Sequence, residues 1–161
     1  MSENQIPIVP VTPTLHLLYT SRIEIDAPLA VGKAPYGERR IINIMGGEFS
    51  GPRLSGRILP GGADWQIIRS DGIAEVEARY TLETDDGALI YIINWGYRHG
   101  PPDVISRLNA GARVSPDAYY FRTIPKFETG SAEYAWLNGM VSVAVGERRS
   151  DEVIITVYEV K

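Results

Sequence analysis

Apolar and polar residues alternate along most of this 161-residue chain, in short segments separated by Gly, Pro and Asp-Gly pairs. In the clearest segment, residues 74–83, Ala, Val, Ala, Tyr and Leu alternate with Glu, Glu, Arg, Thr and Glu. A period of two is typical of a strand with one dry and one solvated face. The pattern predicts nine strands, near residues 15–25, 38–45, 54–59, 65–69, 74–83, 88–95, 119–123, 140–145 and 153–160.

The connections between these segments are short and carry turn signals. The pairs Asp71-Gly72 and Asp86-Gly87 predict two hairpins, because glycine adopts the positive φ of primed turns. One helix is predicted after Pro101, with an apolar stripe that includes Val104 and an end at Gly111. Evenly spaced strands either pair face to face or close up, since an open edge promotes aggregation. We therefore predict an all-β fold, a single antiparallel β-barrel of about eight to ten strands with one short crossover helix.

The predicted barrel domain spans residues 15–161, and residues 1–14 form an extended Pro-rich N-terminal arm, because a proline at every third position excludes a helix. The segment ALIYIINW is apolar on both faces and therefore needs a cover on each. A helix, the arm or a second subunit could supply it, and we predict a homo-oligomer, a dimer or higher.

Composition removes several classes of function. Hydrophobic residues make up 44% of the chain, which is enough for one core, and 16 Lys and Arg face 20 Asp and Glu, which disfavours nucleic acid. Cysteine is absent, so thiolate chemistry is excluded and a reducing, cytoplasmic location is the default. No apolar run approaches the ~18–20 residues that span a bilayer, and we expect no membrane association. His16 and His99 are far apart, and we predict neither a metal site nor a cofactor.

The stretch GGEFSGPRLSGRILPGGADW is unusually rich in glycine. It indicates either two sharp turns at the rim of a sheet or a rim loop that shapes a pocket mouth. It lacks the Gly-Lys-Ser/Thr end of a phosphate-binding loop, and no helix follows it.

Together with DGIAEVEARYTLETDDGALIY, YYFRTIPKFETGSAEYAWLN and VIITVYEV, this stretch resembles the domain of unknown function 3237, also called uncharacterised protein family 0311, over residues 37–160. The resemblance implies a calycin-like antiparallel β-barrel, commonly assembled into a dimer or higher oligomer, with no agreed general activity. Some relatives occur in secondary-metabolite pathways, which implies the binding or cyclisation of a small organic molecule.

Ten positions match the family pattern and can take part in chemistry. As candidate catalytic residues we take Asp64, Glu77, Arg79 and Arg122. As candidate ligand-binding residues we take Trp65, Tyr80, Tyr91, Glu128, Trp136 and Asn138.

Glu77 and Arg79 leave the same face of one strand, so they form either an inner polar cluster or a solvated outer pair. In the inner case, Asp64 or Glu77 is a general base and Arg79 or Arg122 holds negative charge on an oxygen, while Tyr80 or Tyr91 donates a hydrogen bond. This predicts a cofactor-independent acid/base enzyme of isomerase, lyase or cyclase type, acting on an aromatic or carbonyl compound. The alternatives are a non-catalytic small-molecule binding protein and an oligomeric structural or interaction protein with a filled barrel. The content of the barrel interior separates the three.

Overall fold

Antiparallel strands account for most of the computed structural model, which describes residues 6–161. One α-helix, α1 (Pro102–Asn109), and two 3₁₀ helices (Pro116–Ala118 and Ala135–Gly139) complete it. Within residues 6–161, no helix is long and apolar enough to cross a bilayer. The ten strands are β1 Leu15–Ile25, β2 Leu29–Ala34, β3 Gly37–Ser50, β4 Ser55–Ile58, β5 Ala63–Ile68, β6 Ala74–Thr84, β7 Leu89–His99, β8 Tyr120–Glu128, β9 Ser142–Arg148 and β10 Glu152–Val160.

The strands close into a barrel. The order around it is β1-β10-β9-β8-β7-β6, followed by β4 and β5, which share one position, and then β3. The first half of β3 pairs with β5 and its second half pairs with β4 and β1, so the β1–β3 pairing closes the ring. Among the described strands, β2 pairs only with the beginning of β3. The prediction of an antiparallel barrel with one short helix is confirmed, as eight closed positions with two extra strands.

The N-terminal segment lies apart from the sheet. The predicted arm begins at residue 1, but residues 1–5 lie outside the described part of the chain. Residues 6–14 have no regular secondary structure, and Ile8 and Val11 are almost fully exposed. Paired backbone hydrogen bonds between Thr14 and Lys161, of 2.7 and 2.9 Å, bring the first strand beside the end of the last. The described part of the arm therefore does not cover the outer face of β7.

The glycine-rich stretch also forms the second half of a strand. Gly46 and Gly47 lie inside β3, with φ of +146° and +139°, where this strand changes partners from β5 to β4. A Cβ atom on Gly47 would lie 2.0 Å from the carbonyl oxygen of Arg22 on β1. Glycine at this position lets the backbones of β1 and β3 approach closely where the barrel closes. The stretch thus provides a change of strand partner and a close approach of two backbones in addition to two turns.

Part of the barrel interior is filled with large apolar side chains. Tyr19 is fully buried and makes edge-to-face contacts with Phe49 and Phe127, with ring centroids 5.3 and 6.2 Å apart. Further buried aliphatic side chains belong to the same core, among them Leu82, Ile90, Ile92, Leu137 and Val157. The remaining part of the interior is not filled in this way.

Candidate functional site

A cavity of about 50 Å³ lies inside the barrel. One water molecule needs at least ~10–15 Å³ measured in this way, so the space exceeds that of a single water. Apolar side chains form most of the wall, namely Ile23, Ile25, Ile42, Ile44, Val76, Ala78, Phe121, Val153 and Ile155. Polar side chains form the rest, namely Asp64, Gln66, Tyr80, Asn94, Arg98, Thr123 and Arg148. The barrel interior therefore contains polar side chains and is not completely filled.

Strand β5 places Asp64 in this wall. Alternate side chains of a strand face opposite sides, so Asp64 and Gln66 face inward while Trp65 faces outward. Oδ1 of Asp64 accepts a hydrogen bond of 2.9 Å from the backbone N–H of Glu77, and Oδ2 accepts one of 3.1 Å from Nε2 of Gln66. These two bonds hold the carboxylate in place and leave it free lone pairs toward the cavity.

Gln66 connects the carboxylate to two arginines. It is fully buried, and its Oε1 accepts hydrogen bonds from Nη2 of Arg40 and, at 3.3 Å, from Nη2 of Arg98. Since the amide donates to Asp64 and accepts from the guanidiniums, its orientation is fixed by its partners. Asp64, Gln66 and the two arginines therefore form one hydrogen-bonded network across β3, β5 and β7.

Three guanidinium groups lie around this network, on Arg40 of β3, Arg98 of β7 and Arg148 of β9. Arg98 is only 6% exposed, and its Cζ lies 5.6 Å from the centre of the Phe121 ring. Burial and then the charges of the other two arginines lower the pKa of Arg98 to about 10, so it still carries its charge near neutral pH. Burial likewise lowers the pKa of Arg40 and of Arg148. The site holds more positive than negative charge.

The pKa of the Asp64 carboxyl group is raised, whereas the pKa values of the three arginines are lowered. Burial raises the pKa of Asp64, and the hydrogen bond from Glu77, the charge of Arg98 and the bond from Gln66 offset only part of that increase. A carboxyl group whose pKa moves toward neutrality is a better general base than an ordinary aspartate. Tyr80 faces the same cavity, and burial raises the pKa of its phenol, so it stays protonated and able to donate.

Several polar atoms around the cavity are buried without a hydrogen-bond partner among residues 6–161. Three of them, Oδ1 of Asn94, Oγ1 of Thr123 and Nη1 of Arg148, belong to side chains in the cavity wall. A fourth is Nε of Arg40. An unpartnered buried polar atom costs about 1–3 kcal/mol. Their concentration in one place leaves several hydrogen-bonding groups around the cavity without a partner among residues 6–161.

Of the four candidate catalytic residues, the structure brings only Asp64 to the cavity. Glu77 and Arg79 form an ion pair of 3.0 Å on the outer face of β6, with side chains 45% and 48% exposed. Arg122 also faces outward and donates to the backbone oxygen of Phe121 at 3.0 Å. Glu77 and Arg79 thus form the solvated outer pair rather than an inner polar cluster. Glu77, Arg79 and Arg122 do not line the cavity.

Among the candidate ligand-binding residues, only Tyr80 lines the cavity. Trp65, Tyr91 and Glu128 lie on the outer face of the barrel. Trp136 packs under the guanidinium of Arg53, 3.5 Å from its Cζ. Asn138 exchanges hydrogen bonds of 2.8 and 2.9 Å with the backbone of Thr129, and so it braces a loop.

Sequence reasoning missed five polar residues in or around the cavity, namely Arg40, Gln66, Asn94, Arg98 and Arg148. One signal could have found two of them: Asn94 and Arg98 share the face of Ile90 and Ile92 on β7, and a polar residue on a buried face is unusual. Within residues 6–161, no group of three His, Asp or Glu side chains is placed to hold a metal ion.

The pKa of Asp64 predicts how pH affects stability. Because the pKa of Asp64 is raised in the folded state, the folded protein holds this proton more tightly than the unfolded chain does. The free energy of unfolding therefore falls as pH rises from about 3.9 through the raised value. Asp64→Asn lacks this titration. Urea unfolding at several pH values should therefore show wild type losing stability relative to Asp64→Asn as pH rises through that window. A difference that is constant or runs the other way contradicts the raised pKa.

Comparison with known proteins agrees with the architecture. Residues 13–160 match the model of the family described as protein of unknown function DUF3237. A UPF0311 protein of Rhodopseudomonas palustris is 45% identical over 151 residues, which cover 92% of this chain and 99% of that protein.

Solved structures show the same barrel. A conserved protein of unknown function from Rhodopseudomonas palustris has a TM-score of 0.90 at 41% identity, covering 94% of this chain and 100% of that one. A β-barrel-like protein from Acinetobacter baumannii has a TM-score of 0.84 at 43% identity, covering 96% and 100%. An enzyme from Penicillium herquei has a TM-score of 0.74, covering 97% and 100%, but at 18% identity it shares the fold alone. The barrel described here, with its inner cavity and its match over nearly the whole chain, belongs to the DUF3237 family.

Proposed function

We propose that this protein is a small-molecule enzyme that performs acid/base chemistry inside its barrel without a cofactor, on a carbonyl or aromatic compound. One observation carries the proposal: Asp64, with its raised pKa, faces the same cavity as the guanidiniums of Arg98 and Arg148. A base beside positive charge in a sheltered space is what proton transfer next to a carbonyl group requires.

The side chains in the cavity can divide the reaction between them. Asp64 takes a proton from a carbon next to the substrate carbonyl. The electron pair of the broken C–H bond moves onto the carbonyl oxygen and forms an enolate, which Arg98 or Arg148 stabilises and Tyr80 or Asn94 hydrogen-bonds. In an isomerisation, the protonated Asp64 returns the proton to another carbon of the enolate. In an elimination, the enolate instead expels a β-leaving group, which takes the proton from Asp64. In an intramolecular addition, Asp64 takes the proton of a substrate hydroxyl, whose oxygen bonds to the β-carbon of an enone, and the resulting enolate takes the proton back from Asp64.

A binding protein without turnover is the second candidate. The same guanidiniums and unpartnered polar atoms would hold a ligand whether or not Asp64 acts as a base. A structural protein with a filled barrel has less support, because the interior contains the cavity. The enzyme from Penicillium herquei adds no support for catalysis here, since it shares the fold alone.

Filling the cavity tests the proposal. Wild type and Ala78→Leu are incubated in D₂O with a panel of small ketones, enones and oxo acids, and proton loss beside the carbonyl is followed by NMR. Ala78 lines the cavity, so leucine should occupy its space and reduce exchange at least about tenfold, at a stability cost of about 1–3 kcal/mol. Ala132→Leu, at an exposed loop position, is the matched control. Equal rates in both variants, or no exchange of any compound by wild type, would reject the enzyme.

A homo-oligomer also stays a prediction. The outer face of β5, β7 and β8 exposes Trp65, Trp95 and Ile124, by 39%, 38% and 53%. Apolar groups clustered on one face often mark an interface. Light scattering coupled to size exclusion should give a mass of at least twice the 17.8 kDa of one chain. A stable monomer at high protein concentration would contradict the prediction.

A further inference from the structure

Among residues 6–161, the guanidiniums of Arg40, Arg98 and Arg148 form no ion pair within 4.0 Å. The ion pairs elsewhere in this part of the chain join Asp or Glu to arginines, or to Lys161, that are partly or largely exposed. Arg98 is buried, and Arg40 and Arg148 are half-buried. Positive charge removed from water is costly to leave unpaired, and it is usually neutralised by an anion.

The carboxyl of Asp64 lies near all three positive groups, and it bonds to Glu77 and Gln66 rather than to a guanidinium. Glu38 lies near Arg40 and Asp151 near Arg148, but neither forms an ion pair with them.

These arginines lie between two spaces. Arg98 and Arg148 line the inner cavity, and together with Arg40 they line a second cavity of about 190 Å³. Leu108 and Asn109 of helix α1 form the other side of this second cavity. The helix contributes only Val104 and Leu108 to the buried core. A molecule in the inner cavity that extends toward α1 therefore passes the positive groups.

Away from the arginines, the wall of the inner cavity is apolar rather than charged. Nine of the inner-cavity residues are apolar, and the branched side chains of Ile42, Ile44 and Val153 are typical of them. Such walls favour a hydrocarbon group. An inorganic anion could contact the guanidiniums, but it would gain nothing from the apolar walls. These walls and the arginines together favour a ligand that has one anionic group and a short apolar group.

We propose that the ligand of this cavity is a small organic monocarboxylate, whose carboxylate is held by Arg98 and Arg148 with Arg40 beside them, and whose apolar body lies against Ile42, Ile44 and Val153. The inference rests on the proposed function in placing the ligand next to Asp64, and it adds the substrate class. A planar carboxylate matches the paired donors of a guanidinium, and it would supply a partner for the unpartnered Nη1 of Arg148.

Two probes of the same shape test the charge requirement. Wild-type protein is titrated with 3-methylbutanoate and with its neutral amide, 3-methylbutanamide, at constant ionic strength, and binding is read by calorimetry and by thermal shift. The carboxylate should bind at least about tenfold more tightly than the amide. Sodium sulfate is titrated in parallel. Equal binding of the two probes, binding of neither, or an equal response to sulfate overturns the proposal.

Variants locate the site. Arg148→Met should lower carboxylate affinity at least about tenfold, and Arg98→Met should do the same. Arg57→Met is the matched control, because this arginine is exposed and pairs with Glu83 on the outside. If an arginine variant fails to fold, the comparison of the two probes on wild type still decides the question. Unchanged affinity in both folded arginine variants overturns the assignment.

Asp64→Asn separates this inference from the proposed enzyme. Removal of a negative charge from the site should preserve or strengthen binding of 3-methylbutanoate, while the rate of any proton exchange falls steeply. Carboxylate binding in a protein that exchanges no protons would reject the enzyme and keep the ligand class. Exchange of neutral ketones without any preference for the carboxylate would do the reverse.

Discussion

Asp64→Asn is expected to lower the rate of proton exchange by about 10²–10⁴-fold, the usual contribution of a positioned general base. Asparagine has almost the same size, and its Oδ1 can still accept the hydrogen bond from the backbone of Glu77. Its amide cannot take up a proton near neutral pH. The loss should appear in kcat for any carbonyl compound that the wild type exchanges, measured by NMR in D₂O.

Two carboxylates outside the cavity serve as comparisons. Asp85→Asn changes an exposed turn residue whose carboxylate bonds to Ser55. Glu77→Gln changes the other carboxylate that the sequence indicates as a base, which lies in the outer ion pair with Arg79. Both variants should retain the wild-type rate within a factor of about three. A full rate in Asp64→Asn, or a collapse in Glu77→Gln, would place the base outside this cavity.

Among the substitutions considered, Gly47→Ala is expected to lower the free energy of unfolding most. The positive φ at this position costs a residue with a side chain about 1–3 kcal/mol, and the new Cβ would press on the backbone oxygen of Arg22, 2.0 Å away. Overpacking of this kind costs a further ~1–3 kcal/mol. A loss of about 3 kcal/mol should lower the melting temperature by roughly 6–12 °C in a chain of this length.

Two other glycines isolate the steric contribution. Gly61 has φ of +106°, and no atom lies within 4 Å of the position that a Cβ would take, so Gly61→Ala carries the conformational cost alone. Gly139 has neither a positive φ nor a close neighbour, so Gly139→Ala should be nearly neutral. The expected order of melting temperatures, from highest to lowest, is Gly139→Ala, then Gly61→Ala, then Gly47→Ala. If Gly47→Ala melts no lower than Gly61→Ala, the close approach of β1 and β3 is not what requires glycine.

The sequence predicts most of the fold because the strands bury one face. Strand β6 alternates cleanly, and its predicted range, residues 74–83, is within one residue of the observed Ala74–Thr84. Strand β2, Leu29–Ala34, is missed because it is exposed along almost its whole length and so has no dry face to create a pattern. Strand β3 is longer than predicted because it continues through Gly46 and Gly47, which resemble a turn in the sequence.

The site is harder to predict, because the barrel holds polar groups inside and apolar groups outside. On β5, hydrophobicity favours Trp65 as the inward residue, yet Asp64 and Gln66 face the cavity. On β7, Asn94 and Arg98 interrupt the apolar face of Ile90 and Ile92, but the opposite face is apolar as well, so this signal alone does not decide which face is inside. The period of two on β6 does place Glu77 on the polar face, which is where it lies.

The sharpest test of a ligand-binding interior is a diffraction map at about 1.5 Å, from protein purified and crystallised without carboxylate buffers. We expect density for an organic molecule in the barrel, with an oxygen atom within hydrogen-bond distance of Arg98 or Arg148 and a carbon atom facing Asp64. A barrel interior closed by its own side chains, with Asp64 in direct ion pairs with these arginines and no space between them, would contradict a binding site there.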